Sequence, residues 1–397
     1  MKPLLINPDS GIYRNIPNIS LAYTATKMDT PVVDLNTVPA NPDRCLDQRY
    51  DNVLISVRSN TERSSRLIRD KYLKRYPQAV VATIKNCIDV LCCYPFIGWQ
   101  NGVEESYAFD DRLPIPNYEL FDSFPEMSQR WKSGEWAYSI MTSVGCPFGC
   151  VYCASRRRGW KTRNAAHCRE ELTYAKNKWG IKRFDIVDDC FNVNKDRVLE
   201  FCGMMEHLGL AWTCANGLRA DCFDEDIAKA LKKSGCRYIS FGVESIDEGV
   251  LKTINKGETF EQIDHSVTIA SRYFPGRVNC FFIIGLPGSS YDSDCRTLKW
   301  AIRKGVSMNF SYFVEHGRES AGDGVFNGDR ATPQSDSYDR RLQQKIYDHT
   351  DFLRIYKFKR FKRLRHIIHT VRLILAFDPW RLPVHILRYA RLYLVDK

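Results

Sequence analysis

Three cysteines fall within one short stretch, Gly145-Cys146-Pro147-Phe148-Gly149-Cys150-Val151-Tyr152-Cys153. Glycine and proline hold such a stretch in tight turns, so Cys146, Cys150 and Cys153 can aim three sulfurs at one point. Thiolates are the ligands of iron–sulfur clusters, and a four-iron cubane takes four. Three from the protein leave one iron open, which a catalytic metal site requires and a structural one avoids. Structural zinc would want a fourth Cys or His at paired spacing, and no second C-x2-C follows Cys153. The chain holds 15 cysteines, an odd number. The apolar stretch after Met1 is too short for a signal peptide and reads as an opening strand, so no disulfide framework is expected. Cys202, Cys214, Cys236 and Cys280 sit singly in apolar segments and read as small buried hydrophobes.

Four other segments place polar or glycine residues at strand ends. Ile186-Val187-Asp188-Asp189-Cys190-Phe191 carries two adjacent acids, and a charge-assisted hydrogen bond needs a fixed acceptor. The competing use of these acids, as an N-cap for the following helix, is met by Asn192 or Asn194. Asn216-Gly217-Leu218-Arg219 follows a third strand, and Gly242-Val243-Glu244-Ser245 ends a fourth. Arg219 and Glu244 could equally form a plain ion pair. Phe281-Phe282-Ile283-Ile284-Gly285-Leu286-Pro287-Gly288 closes a fifth.

Taken together, these segments resemble the radical S-adenosylmethionine superfamily. Its C-x3-C-x2-C motif, with an aromatic before the third cysteine, corresponds to Cys146, Cys150, Tyr152 and Cys153. Its fifth-strand G-x-I-x-G-x-x-G pattern corresponds to Ile283, Gly285 and Gly288, with Phe281 in place of the first glycine. The resemblance spans about residues 135–315 and implies a [4Fe-4S] cluster on the three cysteines. It implies that S-adenosylmethionine binds the open iron and is cleaved reductively to a 5′-deoxyadenosyl radical. By the same resemblance Asp188 and Asp189 would accept from the cosubstrate ammonium, Arg219 would face its carboxylate, and Glu244 and Ser245 its ribose or amino-acid part. A reductant such as flavodoxin or ferredoxin is implied as partner.

These residues need a scaffold, and the apolar runs supply one. Strands are expected at 138–144, 183–188, 211–215, 238–243, 278–284 and 309–314, with helices at 165–178, 195–208, 224–234, 260–273 and 293–304. That is α/β alternation with about six units, a partial (β/α)6 barrel and too few for a closed eight-stranded one. The first 110 residues alternate as well, with strands at 4–7, 32–35, 53–57, 79–84 and 90–95 and helices at 19–27 and 64–76. They read as a small Rossmann-like, doubly wound domain in which 36–51 lacks a crossover helix. Residues 111–136 read as a linker, 137–315 as the core, and 316–397 as a basic helical region. A doubly wound domain ahead of the cysteine loop resembles the cobalamin-binding-like subgroup, whose members methylate unactivated carbons or rearrange substrates. No D-x-H-x-x-G motif is present, and both retention and loss of cobalamin stay open.

Composition narrows the classes further. With 44% hydrophobic and 26% charged residues, the chain is an ordinary globular protein and not a disordered or collagen-like one. No apolar run reaches the roughly 18 residues of a membrane span, so a cytoplasmic location is expected. Of the net charge of +11, residues 352–397 supply almost all, with basic amphipathic spacing around Leu364, Ile368, Val371 and Leu375. Such a tail suits peripheral contact with the inner face of a membrane, or packing on the barrel. Nucleic acid is not the expected partner, because the body carries no basic excess. The expected function is therefore a radical S-adenosylmethionine enzyme acting by C-methylation or rearrangement on a small or lipid-linked metabolite. A tRNA methylthiotransferase ranks below it, because its expected RNA-binding barrel has no counterpart in a helical tail. A non-catalytic iron–sulfur protein ranks lower still.

Overall fold

The computed structural model describes residues 3–9, 17–37, 41–57, 61–85, 96–100, 103–107, 109–153, 155–156, 158–313 and 335–347. The expected strand at 90–95 and the tail at 352–397 lie outside these residues.

The N-terminal part forms β1 (Leu4–Asn7), α1 (Ile19–Met28), β2 (Val32–Asp34), β3 (Asn52–Val57), α2 (Glu62–Arg75) and β4 (Val80–Lys85). Its sheet has the order β2-β1-β3-β4, with every neighbour parallel. Alternate apolar residues Leu4, Ile6, Val53 and Ile55 bury one face against Ile68 and Tyr72 of α2. Among the described residues between β2 and β3 there is a 3₁₀ turn, Pro42–Leu46, started by a proline at its first position. A hairpin, β5 (Phe96–Gln100) with β6 (Val103–Tyr107), was not anticipated from the pattern.

Residues 109–136 are not a bare linker. A 3₁₀ turn, Tyr118–Leu120, leads into α3 (Phe124–Ser133). Tyr118 and Trp131, both fully buried, meet edge to face at 5.3 Å, and Tyr118 meets Tyr138 at 5.8 Å. Aromatic pairs in these geometries contribute about 0.5–1.5 kcal/mol each beyond their burial.

The core continues with β7 (Tyr138–Ile140), β8 (Ser143–Cys146), β9 (Arg158–Thr162), α4 (Ala165–Trp179), β10 (Arg183–Ile186), α5 (Lys195–Met205), β11 (Ala211–Leu218) and α6 (Glu225–Lys233). It ends with β12 (Cys236–Glu244), α7 (Glu248–Thr253), α8 (Phe260–Tyr273), β13 (Val278–Ile284), α9 (Tyr291–Lys304) and β14 (Ser307–Tyr312). Six of these strands make one sheet of order β14-β13-β12-β11-β10-β7, open at β7 and β14. Strands and helices alternate throughout it, so the partial barrel expected from the apolar runs is what the chain builds. The barrel helices start where short polar side chains cap them: Asn164, Asn194, Asp224, Thr259 and Ser290 each accept a first-turn backbone N–H.

Two differences from expectation bear on chemistry. The run 138–144 is two strands, because Thr142 donates its N–H to Asp188 instead of to the ladder. The chain then turns into β8, which pairs antiparallel with β9 through an irregularity between Val144 and Cys146. Gly145 lies there at φ +86°, a conformation that disfavours any side chain. The other difference is α7, a short helix after β12 whose internal Gly249 hides the helical spacing.

By backbone contacts the chain divides into two compact units. One holds Met1–Gly149 and Cys153–Ile239, and the other holds Cys150–Tyr152, Ser240–Glu315 and the described residues 335–347. In the first unit, α1 is fastened to the core by a buried ionic group. Arg163 and Glu171, both at most 1% exposed, pair at 2.7 Å. Tyr23 of α1 and Tyr138 of β7 both donate hydroxyls to the Glu171 carboxylate, at 3.2 and 2.8 Å.

Candidate active site

The cysteine motif occupies the connection of the β8–β9 hairpin, with Cys146 as the last residue of β8. Asp189 holds both roots of that connection. One of its oxygens accepts from the Gly145 N–H at 2.9 Å, and the other from the Ser155 hydroxyl at 2.9 Å. Asn194 caps α5, so Asp189 is not consumed as a helix cap. The Ser155 N–H in turn points at the Cys153 sulfur, 3.4 Å away.

Cys146 is half-buried and lies beside the buried Cys190. A side-chain hydrogen bond with Cys190 holds the Cys146 pKa down to about 7 against the opposing effect of burial, with the Phe148 N–H assisting. A thiol so placed is readily a thiolate, the form that binds metal.

Asp188 does different work from its neighbour. It is 2% exposed and accepts from the Thr142 N–H at 2.6 Å, the Thr142 hydroxyl and the Ser143 hydroxyl at 2.7 Å. Burial raises its pKa, while Arg197 and these donors oppose the rise. Both oxygens are thus engaged in turning the chain from β7 into β8.

Arg219, at the end of β11, forms a two-pronged pair with Asp221, Nε to Oδ1 and a terminal nitrogen to Oδ2, each 2.8 Å. Its guanidinium carbon lies 3.6 Å from the centre of the Phe148 ring in the cysteine loop. Asn192 secures the backbone there, accepting from the Arg219 N–H at 3.0 Å and donating to the Arg219 carbonyl at 2.8 Å. The Arg219 ion pair is therefore with Asp221, and Glu244 has another cation.

In the second unit, Glu244 ends β12 at φ +66°, a strained conformation for a residue with a side chain. Its carboxylate faces the ammonium of Lys256 at 3.7 Å, and Lys256 also meets Glu258 at 3.2 Å and donates to the Tyr152 hydroxyl at 3.3 Å. Ser245 is fully buried, and its hydroxyl accepts from the Asp247 N–H at 3.2 Å and meets the Thr297 hydroxyl at 3.5 Å. It fastens the turn before α7 to α9. Ile283 packs against the buried cluster of Val250, Ile254 and Leu286, against which Val151 and Tyr152 of the cysteine loop also pack.

Gly285 and Gly288 both have positive φ, at +75° and +80°. The space a side chain would take at Gly285 is filled from within: a Cβ there would lie 2.7 Å from Gln343 Oε1 and 2.9 Å from Ser335. A Cβ at Gly288 would meet Thr253 at 3.1 Å. These glycines serve the turn after β13 and the seating of residues 335–343 on it.

Asp294 completes that seat, accepting from the Gly285 N–H at 3.0 Å and the Tyr338 hydroxyl at 2.6 Å. Burial raises its pKa to about 6. Because the folded value exceeds the unfolded one, the favourable contribution is full below about pH 4 and is lost as pH rises through about 6. Asp294→Asn is therefore expected to remove part of the pH dependence of stability. Between pH 5 and 7.5 the wild type should lose about 1–2 kcal/mol relative to the variant, read from urea midpoints.

The donor set fits an iron–sulfur cubane. Among the described residues no cysteine is in a disulfide, Cys146, Cys150 and Cys153 included. No three His, Cys, Asp or Glu side chains among the described residues gather tightly enough for one metal ion. Thiolates are the ligands that an iron–sulfur cubane takes, and the three on this loop would each serve a separate iron. Lys256, Glu258, Ser155, Cys190 and Asp294 were not singled out from the sequence. Only the αL-prone Asn255 and Gly257 flanking Lys256 gave a signal there, and it indicated no more than a turn.

Comparison with known proteins gives the same direction. Residues 140–301 match the radical SAM superfamily. The chain is 32% identical over 209 residues to an uncharacterised methyltransferase of Pyrococcus horikoshii, covering 51% of this chain and 44% of that one. It is 26% identical over 186 residues to the cytidylyl-2-hydroxyethylphosphonate methyltransferase of Streptomyces wedmorensis, covering 45% and 35%. The chain thus spans less than half the length of these relatives. In fold it resembles the radical S-adenosylmethionine methyltransferase TsrM of Kitasatospora setae, with TM-score 0.58 and 16% identity over 78% of this chain and 72% of that one. It also resembles the cobalamin-dependent S-adenosylmethionine radical enzyme OxsB, with TM-score 0.56 and 16% identity over 88% and 55%.

Proposed function

We propose, from the match of residues 140–301 to the radical SAM superfamily, that this chain is a radical S-adenosylmethionine enzyme that methylates carbon in a small or lipid-linked metabolite. The observation that carries this is the clamped hairpin connection: three cysteines, none in a disulfide, between two roots that Asp189 ties together. Cys146, Cys150 and Cys153 would hold the [4Fe-4S] cluster, which supplies one electron to the sulfonium of a bound S-adenosylmethionine. A low-potential reductant such as flavodoxin or ferredoxin would furnish that electron.

The remaining work belongs to the chain itself. Asp189 keeps the loop in one conformation and presents anionic charge toward an ammonium. Arg219, its plane fixed by Asp221 and Phe148, offers a cation to a carboxylate. Glu244, set at the strand end, offers acceptors to ribose hydroxyls. Asp188 and Ser245 support this arrangement from behind through Thr142, Ser143 and Asp247. Gly285 and Gly288 shape the turn after β13. Each of these groups would help to orient the part of the cosubstrate that it meets.

Cobalamin is the proposed methyl carrier. In the N-terminal sheet the chain reverses direction between β1 and β3, the place where open α/β sheets take cofactors. Asn7, Asn18 and Ser56 are buried at these carboxyl ends, and Asn18 donates to both of the others at 3.2 Å. Just past β2 the Thr37 hydroxyl is buried with no hydrogen-bond partner among the described residues, which leaves a group that a polar ligand could satisfy. The described helices include none long and apolar enough to cross a membrane. A lipid-linked substrate would therefore be met at a surface, for which the +10 charge of residues 352–397 is suited.

The test is anaerobic reconstitution with hydroxocobalamin followed by gel filtration, then reaction with S-adenosylmethionine labelled in its methyl group. We expect about one cobalamin retained per chain and methyl label on it. No retained cobalamin would overturn methylation in favour of cobalamin-free radical rearrangement.

A further inference from the structure

Lys256 is one of the site residues that the sequence motifs did not single out, and its surroundings are unusual. Its ammonium is 5% exposed and lies between Glu244 at 3.7 Å and Glu258 at 3.2 Å. Glu258 is itself buried, so two carboxylates share one cation away from water. The same ammonium donates to the Tyr152 hydroxyl at 3.3 Å, and Tyr152 is the aromatic residue directly before Cys153.

The backbone of the same turn also holds the loop. The Val151 N–H donates to the Ile254 carbonyl at 3.0 Å, and the Cys150 thiol points at the Lys256 carbonyl from 4.0 Å. Asn255 at φ +52° and Gly257 at φ +72° bend the chain sharply enough to turn the Lys256 carbonyl and its side chain toward the same stretch of loop. Val151 and Tyr152 pack on Val250, Ile254 and Leu286 beneath it. Residues 254–258 are thus a brace under the middle of the cysteine loop, and Lys256 is its charged member.

We propose that Lys256 is a positioning residue: its ammonium fixes the Tyr152 side of the cysteine loop and keeps Glu244 ionised as an acceptor for the cosubstrate. This rests on the radical S-adenosylmethionine reading above. The groups facing Glu244 are Lys256, Glu258 and the Tyr152 hydroxyl. Burial raises the Glu244 pKa, with Glu258 adding to the rise, while Lys256 and Tyr152 oppose it. Without the ammonium Glu244 would hold its proton to higher pH, and a protonated acid is a poorer acceptor for two hydroxyls.

The single variant Lys256→Met leaves two unbalanced buried carboxylates and can fail to fold, so the decisive variant is Lys256→Met with Glu258→Gln, which conserves the net charge of the group. It is compared with Glu258→Gln alone and with Lys256→Arg. Two readouts apply: iron retained after anaerobic reconstitution and chelator challenge, and the KM for S-adenosylmethionine from pH 6 to 8. The proposal predicts a KM within about threefold of the Glu258→Gln reference at pH 8 and at least tenfold higher at pH 6, with the reference flat across the range. Iron falling below half of the reference, and restored in Lys256→Arg, would support the bracing role equally. Iron and KM profiles that match the reference would overturn it, as would iron loss that Lys256→Arg does not restore. Failure of the wild type to cleave S-adenosylmethionine would instead refute the reading on which the proposal rests.

Discussion

Arg163→Met is expected to destabilise the protein by about 3–5 kcal/mol, because it strands the Glu171 carboxylate in the interior. Arg163 is fully buried, pairs with Glu171 at 2.7 Å and donates to the Tyr23 hydroxyl at 2.9 Å and the Met141 carbonyl at 3.1 Å. Tyr23 belongs to α1, Tyr138 to β7 and Glu171 to α4, so one carboxylate joins the N-terminal layer to the start of the core. Removing the cation leaves Glu171 with two phenol donors, Tyr23 and Tyr138, and no compensating charge. Replacing both ends, Arg163→Met with Glu171→Leu, removes the buried charges together and should cost well under the sum of the single variants. Equilibrium urea unfolding of the two single variants and the double variant provides the comparison. A loss below about 1 kcal/mol for Arg163→Met would mean that water reaches Glu171 and that the pair does not hold α1 to the core.

The chemistry of the cysteine loop was legible because thiols at spacings of four and three on a Gly/Pro turn have few other uses. Asp189 was legible as an important acid, yet its contacts with Gly145 and Ser155 are tertiary and leave no mark in the local pattern. Asp188 looks identical to Asp189 in sequence. Only the fold shows that Thr142 and Ser143 have engaged it. The break between β7 and β8 follows from that same contact, which is why a continuous run of β-type residues misled the assignment of 138–144.

Gly285 and Gly288 were legible as a pattern, while Gln343 and Ser335, which fill the space beside Gly285, arrive from a distant part of the chain. Lys256 and Glu258 form no motif with their neighbours, and their burial is a tertiary property that leaves no mark in the local sequence. The barrel alternation was legible because its helices and strands carry their own periodicity, and five of the helices begin at polar caps visible in the sequence.

Anaerobic reconstitution with iron and sulfide, followed by addition of dithionite and S-adenosylmethionine, tests the central claim most directly, with 5′-deoxyadenosine as the measured product. Cys146, Cys150 and Cys153 are the only thiols placed on the clamped loop, and a cubane that loses one of three protein ligands is not retained on the other two. The account predicts about four irons per chain and 5′-deoxyadenosine formation by the wild type, with both lost in Cys146→Ala, Cys150→Ala or Cys153→Ala while the fold survives. Undiminished 5′-deoxyadenosine from a protein lacking all three cysteines, or none from an iron-loaded wild type, would contradict it.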